Sequence, residues 1–196
     1  MIQTNTLNKN LHNELENIID LLKQIDDQKM PNYLRLVKES IKTIKNGGKL
    51  IFFGNGGSAA DAQHLATELT VKYKKKRRAI AAISLATDTS ALTAIGNDFS
   101  FDNIFERQIE ALGKKNDISI AITSSGNSNN LIKASKLARK MGIKTFCLSG
   151  NKGGKLKKYV KFPIIIPSNI VSHVQAAEII IGQALCSEIE NYFTKY

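Results

Sequence analysis

Cysteine is scarce in this chain. Only Cys147 and Cys186 occur among 196 residues, each inside an apolar run where a buried structural thiol is expected. Their spacing excludes a disulfide scaffold and any cysteine-based metal or redox centre. Long apolar runs are missing too, and none approaches the roughly 20 residues a spanning helix needs. The first ten residues, MIQTNTLNKN, lack a basic stretch followed by an apolar core, so no signal peptide is expected. The chain reads as a soluble cytoplasmic protein with no membrane partner. Acidic residues are few: Asp+Glu 17 against Lys+Arg 28 leave a net charge of +11. That excess invites a nucleic-acid reading. Much of it, however, sits in residues 72–78 and 152–161, without interleaved stacking aromatics and outside any reader motif. Both stretches read as solvated basic loops, and nucleic acid is not an expected partner.

What is present is an ordinary globular composition, 42% hydrophobic and 23% charged, in a length that suits one domain. Leu7, Leu11, Leu15, Ile18, Leu22 and Ile25 recur at helical steps and form one apolar stripe. Pro31 then suits a helix start, and Leu34, Val37, Ile41 and Ile44 continue the rhythm until Asn46-Gly47-Gly48 ends it. A helical pair placed before any strand cannot bury its stripe alone, so residues 1–46 read as an arm that packs on a core or on another copy of itself.

From residue 47 to 196 the pattern changes. Continuous apolar runs at 50–53, 80–85, 118–123, 145–148 and 162–166 alternate with helical segments. Runs of this kind mark strands covered on both faces, and the alternation implies a parallel sheet with right-handed crossovers. The expected fold is a three-layer α/β domain (αβα) of about five parallel strands with the helical arm in front. Pro163 and Pro167 bracket the last strand, as suits a sheet edge. Residues 171–192 read as a final helix.

Ligands of such sheets bind beyond the carboxyl ends of the strands. The first end reads Gly54-Asn55-Gly56-Gly57-Ser58 before a helix expected over 59–72. Glycines let backbone approach a ligand, and free N–H groups at a helix start favour an anion. No Gly-Lys-Ser/Thr follows and GxGxxG is absent, so no nucleotide cofactor is expected. The third end reads Thr123-Ser124-Ser125-Gly126-Asn127-Ser128 before a helix starting at Asn129. Four hydroxyls exceed what an N-cap needs, and the surplus points to donors around phosphate oxygens. His64 and Glu68 stand four residues apart on the first helix and share one face.

These strand ends, with GNGGSAADAQH at 54–64, TDTSALTAIGND at 87–98, the Ser125-Gly126-Asn127-Ser128 loop and the turn at 150–154, resemble the SIS (sugar isomerase) domain, and within it the phosphoheptose isomerases. The resemblance runs over essentially the whole chain. It implies conversion of sedoheptulose 7-phosphate to D-glycero-D-manno-heptose 7-phosphate, an aldose that feeds lipopolysaccharide synthesis. By matching positions it implies substrate contacts from Asn55, Gly56, Gly57, Ser58, Asn97, Asp98 and Gln175, and a phosphate cradle of Thr123, Ser124, Ser125 and Ser128. It implies Glu68 as catalytic base and substrate contact, and a zinc site at His64, Glu68, Gln175 and position 183. A homo-oligomer, a tetramer in this family, is implied as well.

The last helix departs from that family's pattern. His173 stands where the family has Arg, and Ala176 where it has Glu. Gln183 takes the place of a histidine that serves as acid/base and metal ligand. Glutamine neither transfers protons near neutral pH nor ligates zinc well. Any zinc is therefore expected to be weakly held. Proteins that associate with the DnaA initiator resemble this chain too and lack the same histidine. An inactive sugar-phosphate-binding or initiator-bridging protein is thus the alternative to an isomerase.

Overall fold

The computed structural model describes residues 4–28 and 30–194. Two helices come first, α1 (Thr4–Asp27) and α2 (Pro31–Lys45). Strands and helices then alternate: β1 (Leu50–Gly54), α3 (Gly57–Thr70), β2 (Ala82–Ser84), α4 (Thr89–Asp98), α5 (Glu106–Leu112), β3 (Ile118–Thr123), α6 (Asn129–Lys140), β4 (Lys144–Ser149), β5 (Phe162–Ile165) and α7 (Val171–Thr194). All five strands are parallel, in the order β2-β1-β3-β4-β5. The order reverses between β1 and β3, so the crevice outside their carboxyl ends is where such a sheet takes a ligand.

Alternation along each strand divides the core into two halves. Leu50 and Phe52 of β1, with Ile118, Ile120 and Ile122 of β3, pack under α2, α3 and α7. Ile51, Phe53, Ala121 and Cys147 point to the other face, under α5 and α6. Every residue of β1 and β3 is buried, which is why these strands read as unbroken apolar runs. β2 is only three residues long, shorter than the 80–85 run, because Ile80 has turned to donate its amide to Leu69 at the end of α3. The expectation of β5 as an edge agrees with the sheet order, with Pro163 beside Cys147.

Two expectations need correction. On α1, Leu21 is buried although it lies off the expected stripe, while Leu11 and Leu15 on the stripe are 62% and 53% exposed; the Leu7 side chain lies outside the described residues. The stripe is therefore left uncovered at Leu11 and Leu15, while Ile18, Leu22 and Ile25 are partly buried. The basic segment 72–78 is not simply solvated. The Glu190 carboxylate accepts the amides of Tyr73, Lys74 and Lys75 at 2.7–3.0 Å and sits 3.3 Å from Arg77 Nε, in a buried pair. Arg77 also donates to the Glu68 and Leu69 carbonyls at the end of α3. Desolvation raises the Glu190 carboxyl, but these donors and the guanidinium outweigh it and hold it below its ordinary range.

α4 carries no buried residue, so its start depends on a cap. Asp88 supplies one, accepting the Ala91 amide at 2.9 Å. Asp88→Ala is expected to cost about 1 kcal/mol and to lower Tm by roughly 2–4 °C in a thermal melt. An unchanged Tm would show that the cap does not hold this helix.

Candidate active site

The β1 end turns sharply because Gly54 has no side chain. A Cβ there would lie 2.7 Å from the Ser58 carbonyl oxygen and 2.8 Å from that of Ile122. Gly56, at φ 55°, caps α3, and Gly57 begins it, two residues ahead of the expected start. The Gln175 amide lies directly over Gly57, with Nε2 2.5 Å from where a Cβ would sit. Gln175 is thereby brought to the first loop. Asn55 exchanges two hydrogen bonds with Asn130, at 3.0 and 2.8 Å, and Asn130 also accepts the Leu131 amide. This pair ties the β1 end to the first turn of α6, so the Asn55 amide serves the scaffold. Ser58 is buried beside Glu178.

The β3 end is built differently. Thr123 Oγ1 accepts the Gly126 amide and Ser125 Oγ accepts that of Asn127, both at 3.2 Å, leaving the two hydroxyl protons to donate elsewhere. Ser128 is the N-cap residue of α6 yet makes no side-chain capping bond. Three hydroxyls, Ser124 between them and the α6 N-terminus thus stand at one turn, which is what a phosphate dianion needs. The turn at 150–154 clasps this loop: Leu156 donates to the Gly126 carbonyl at 2.8 Å and Lys155 to Asn127 Oδ1 at 3.1 Å. Gly126, at φ 66°, lies so close to Gly153 and Gly154 that any side chain there would strike backbone.

His64 Nε2 and Glu68 Oε1 are 2.9 Å apart on α3. They stand seven and eleven residues past Gly57, roughly 10 and 16 Å along the helix at 1.5 Å per residue. Gly182 packs on Leu65, which sets Gln183 level with this pair. Gln175 stands two turns nearer the loops. Asn97 and Asp98 lie at the exposed far end of α4 and bond to each other at 2.8 Å. Asp98 lines a cavity of about 320 Å³ between α4 and α5 rather than the strand ends. His173 is buried and meets Glu14 of α1 at 2.9 Å.

Reading residues in sequence missed three members of this constellation: Asn130, Asp61 and above all Glu178. Glu178 is 0% exposed at the β3 end, where its Oε1 accepts the Thr123 amide at 3.2 Å. Burial pushes its carboxyl up to about 8 and the Asp61 charge adds to this, while the Thr123 amide and Ser58 hydroxyl pull the other way. Asp61 is raised as well, by burial, with His64 opposing. A sequence signal existed: Glu178 is a lone carboxylate in an apolar stretch, three residues after Gln175 and hence on its side of α7.

The donors do not fit a firm zinc site. Among the described residues no group of three or more His, Cys, Asp or Glu could hold a metal ion. His64 and Glu68 offer two good ligands where catalytic zinc uses three protein ligands, and Gln175 and Gln183 add only amides.

The chain matches the SIS domain over residues 15–150. It is 49% identical over 158 residues to the phosphoheptose isomerase of Paramagnetospirillum magneticum, covering 81% of this chain and 82% of that one. To the phosphoheptose isomerase of Helicobacter pylori strain P12 it is 45% identical over 183 residues, with 93% and 90% covered. Two solved structures agree. The phosphoheptose isomerase from Neisseria gonorrhoeae superposes with a TM-score of 0.88 at 34% identity, over 94% of this chain and 99% of that one. The one from Francisella tularensis does so at 0.90 and 30%, over 95% and 98%.

Proposed function

The chain belongs to the SIS-domain phosphoheptose isomerases, and from that premise we propose that it interconverts sedoheptulose 7-phosphate and D-glycero-D-manno-heptose 7-phosphate. The observation that carries this reading is the hydroxyl-rich β3 end in front of α6, with a carboxylate three turns along α3, the helix that follows the adjacent strand β1. An extended seven-carbon sugar phosphate reaches roughly 10 Å. With hydrogen-bond reach at each end that is comparable to the roughly 16 Å of α3 between Gly57 and Glu68. In this reading the phosphate sits at Thr123, Ser124, Ser125 and Ser128, and the carbonyl end beside Glu68.

In that pose Glu68 takes a proton from C1 of the ketose, giving an enediol, and returns it to C2. A second proton passes from O1 to O2, and the His64 imidazole beside Glu68 is a group able to carry it. No step is assigned to a metal, because the donors do not fit one; any zinc held here is weak. Gln183 favours a second reading, a sugar-phosphate-binding protein with little turnover, since the level where the family carries a proton donor holds an amide.

The same reading makes the whole chain one unit of this family, a cytoplasmic enzyme supplying heptose for lipopolysaccharide. Among the described residues no helix is long and apolar enough to cross a membrane. It also makes the protein a homo-oligomer, a tetramer with the α1 arms packed together. The uncovered Leu11, Leu15 and Ile19 support this, as does an apolar cavity of about 340 Å³ between the arm and α7 at Tyr33, Leu34 and Ile180. Light scattering at micromolar concentration is expected to show an assembly, and a monomer would count against it.

Calorimetry with sedoheptulose 7-phosphate tests the cradle. The double variant Ser125→Ala, Ser128→Ala is expected to bind at least about tenfold more weakly, since each hydrogen bond to a charged group contributes about 1.5–3 kcal/mol. Unchanged affinity would remove the phosphate from this turn.

A further inference from the structure

Glu178 is fully buried between the two loops of the site, and the isomerase chemistry leaves it without a role. An ionised carboxylate needs donors on both oxygens. Here Oε1 accepts the Thr123 amide, whereas Oε2 is sealed from water with no hydrogen-bond partner among the described residues. The groups facing it are Ser58 and Asp61 of α3 and Thr123 of β3, while the Cys147 thiol of β4 lies on the other face of the sheet. None is a cation: Ser58 and Thr123 are neutral donors, and burial pushes the Cys147 thiol up to about 12, so it is uncharged. Asp61 is a second carboxylate, with His64 acting on it from one turn further along α3. An anion in that setting would carry both a desolvation cost and like-charge repulsion. A proton removes both.

We propose that Glu178 is a positioning residue: held as a neutral carboxylic acid beside Asp61, it locks the β3 end to the start of α3, and its ionisation loosens that lock. It accepts the Thr123 amide at the strand end that leads into the phosphate turn, and it lies beside Ser58 in the first turn of the helix that carries His64 and Glu68. Its bearing on binding rests on the reading of these loops as a sugar-phosphate site. The buried acid itself does not.

The sign follows from linkage. The folded carboxyl titrates at about 8, the unfolded one at about 4.3. Between those values the native state holds the extra proton, so stability falls as pH rises through the window and levels off above 8. Substrate that needs the locked form binds with one more proton, and its Kd rises about tenfold per pH unit above 8.

The test compares the parent with Glu178→Gln, a neutral isostere, by thermal melts from pH 6 to 9 and by calorimetry with sedoheptulose 7-phosphate from pH 7 to 9.5. The parent is expected to lose several degrees of Tm relative to the variant across that range. Its Kd should rise with unit slope above pH 8, while that of the variant stays level. Asp61→Asn, which leaves Glu178 in place, should move both onsets to a different pH and serves if the first variant does not fold. Parallel Tm curves for parent and variant overturn the neutral acid. A Tm difference with a pH-independent Kd overturns the lock. A Tm difference with no binding at any pH supports the buried acid and overturns the sugar-phosphate reading instead.

Discussion

Glu68→Gln is expected to lower kcat for sedoheptulose 7-phosphate by about 10²–10⁴, the range that a single general base contributes. The amide keeps the shape of the carboxylate and its contact with His64, 2.9 Å away, but cannot take up the C1 proton. With the phosphate at the proposed Thr123–Ser128 cradle, affinity should change by less than about threefold. A variant with full turnover would move the base elsewhere. A variant that fails to bind would show that Glu68 holds substrate rather than reacts with it.

Gln183→His should act in the opposite direction. Gly182 against Leu65 places position 183 level with His64 and Glu68. An imidazole there adds a proton carrier and a third good ligand to a set that now has two. The rate is expected to rise by about 10²-fold, the lower end for a general acid, and zinc affinity by at least about tenfold. Measured together, turnover and zinc titration separate the two effects. If neither moves, Gln183 does not belong to the site.

The fold was legible because its strands are buried on both faces, so β1 and β3 announce themselves as unbroken apolar runs ending in glycine or hydroxyl residues. The loops at those ends could be placed for the same reason. Side-chain commitments could not. That the Asn55 amide pairs with Asn130, 75 residues away, depends on how two strand ends meet across the crevice. That Ser58 turns inward depends on a carboxylate 120 residues later in the chain. Glu178 itself was visible as a lone acid in an apolar helix, but nothing local says that it lies under the β3 end. The Asn97 and Asp98 positions show the reverse: the motif is clear in sequence, and the folded chain sets them at the far end of α4. The exposed face of α1 is another case, since helical spacing reveals an apolar stripe but not what covers it.

The central claim is that these strand ends and Glu68 serve one reaction. Its most direct test is incubation of the purified protein with sedoheptulose 7-phosphate in deuterium oxide, followed by proton NMR. The account predicts that the aldose heptose 7-phosphate appears, with solvent deuterium entering at the carbon that receives the proton and with both signals lost in Glu68→Gln. Sedoheptulose 7-phosphate that binds yet shows neither aldose product nor exchange at C1 would contradict it.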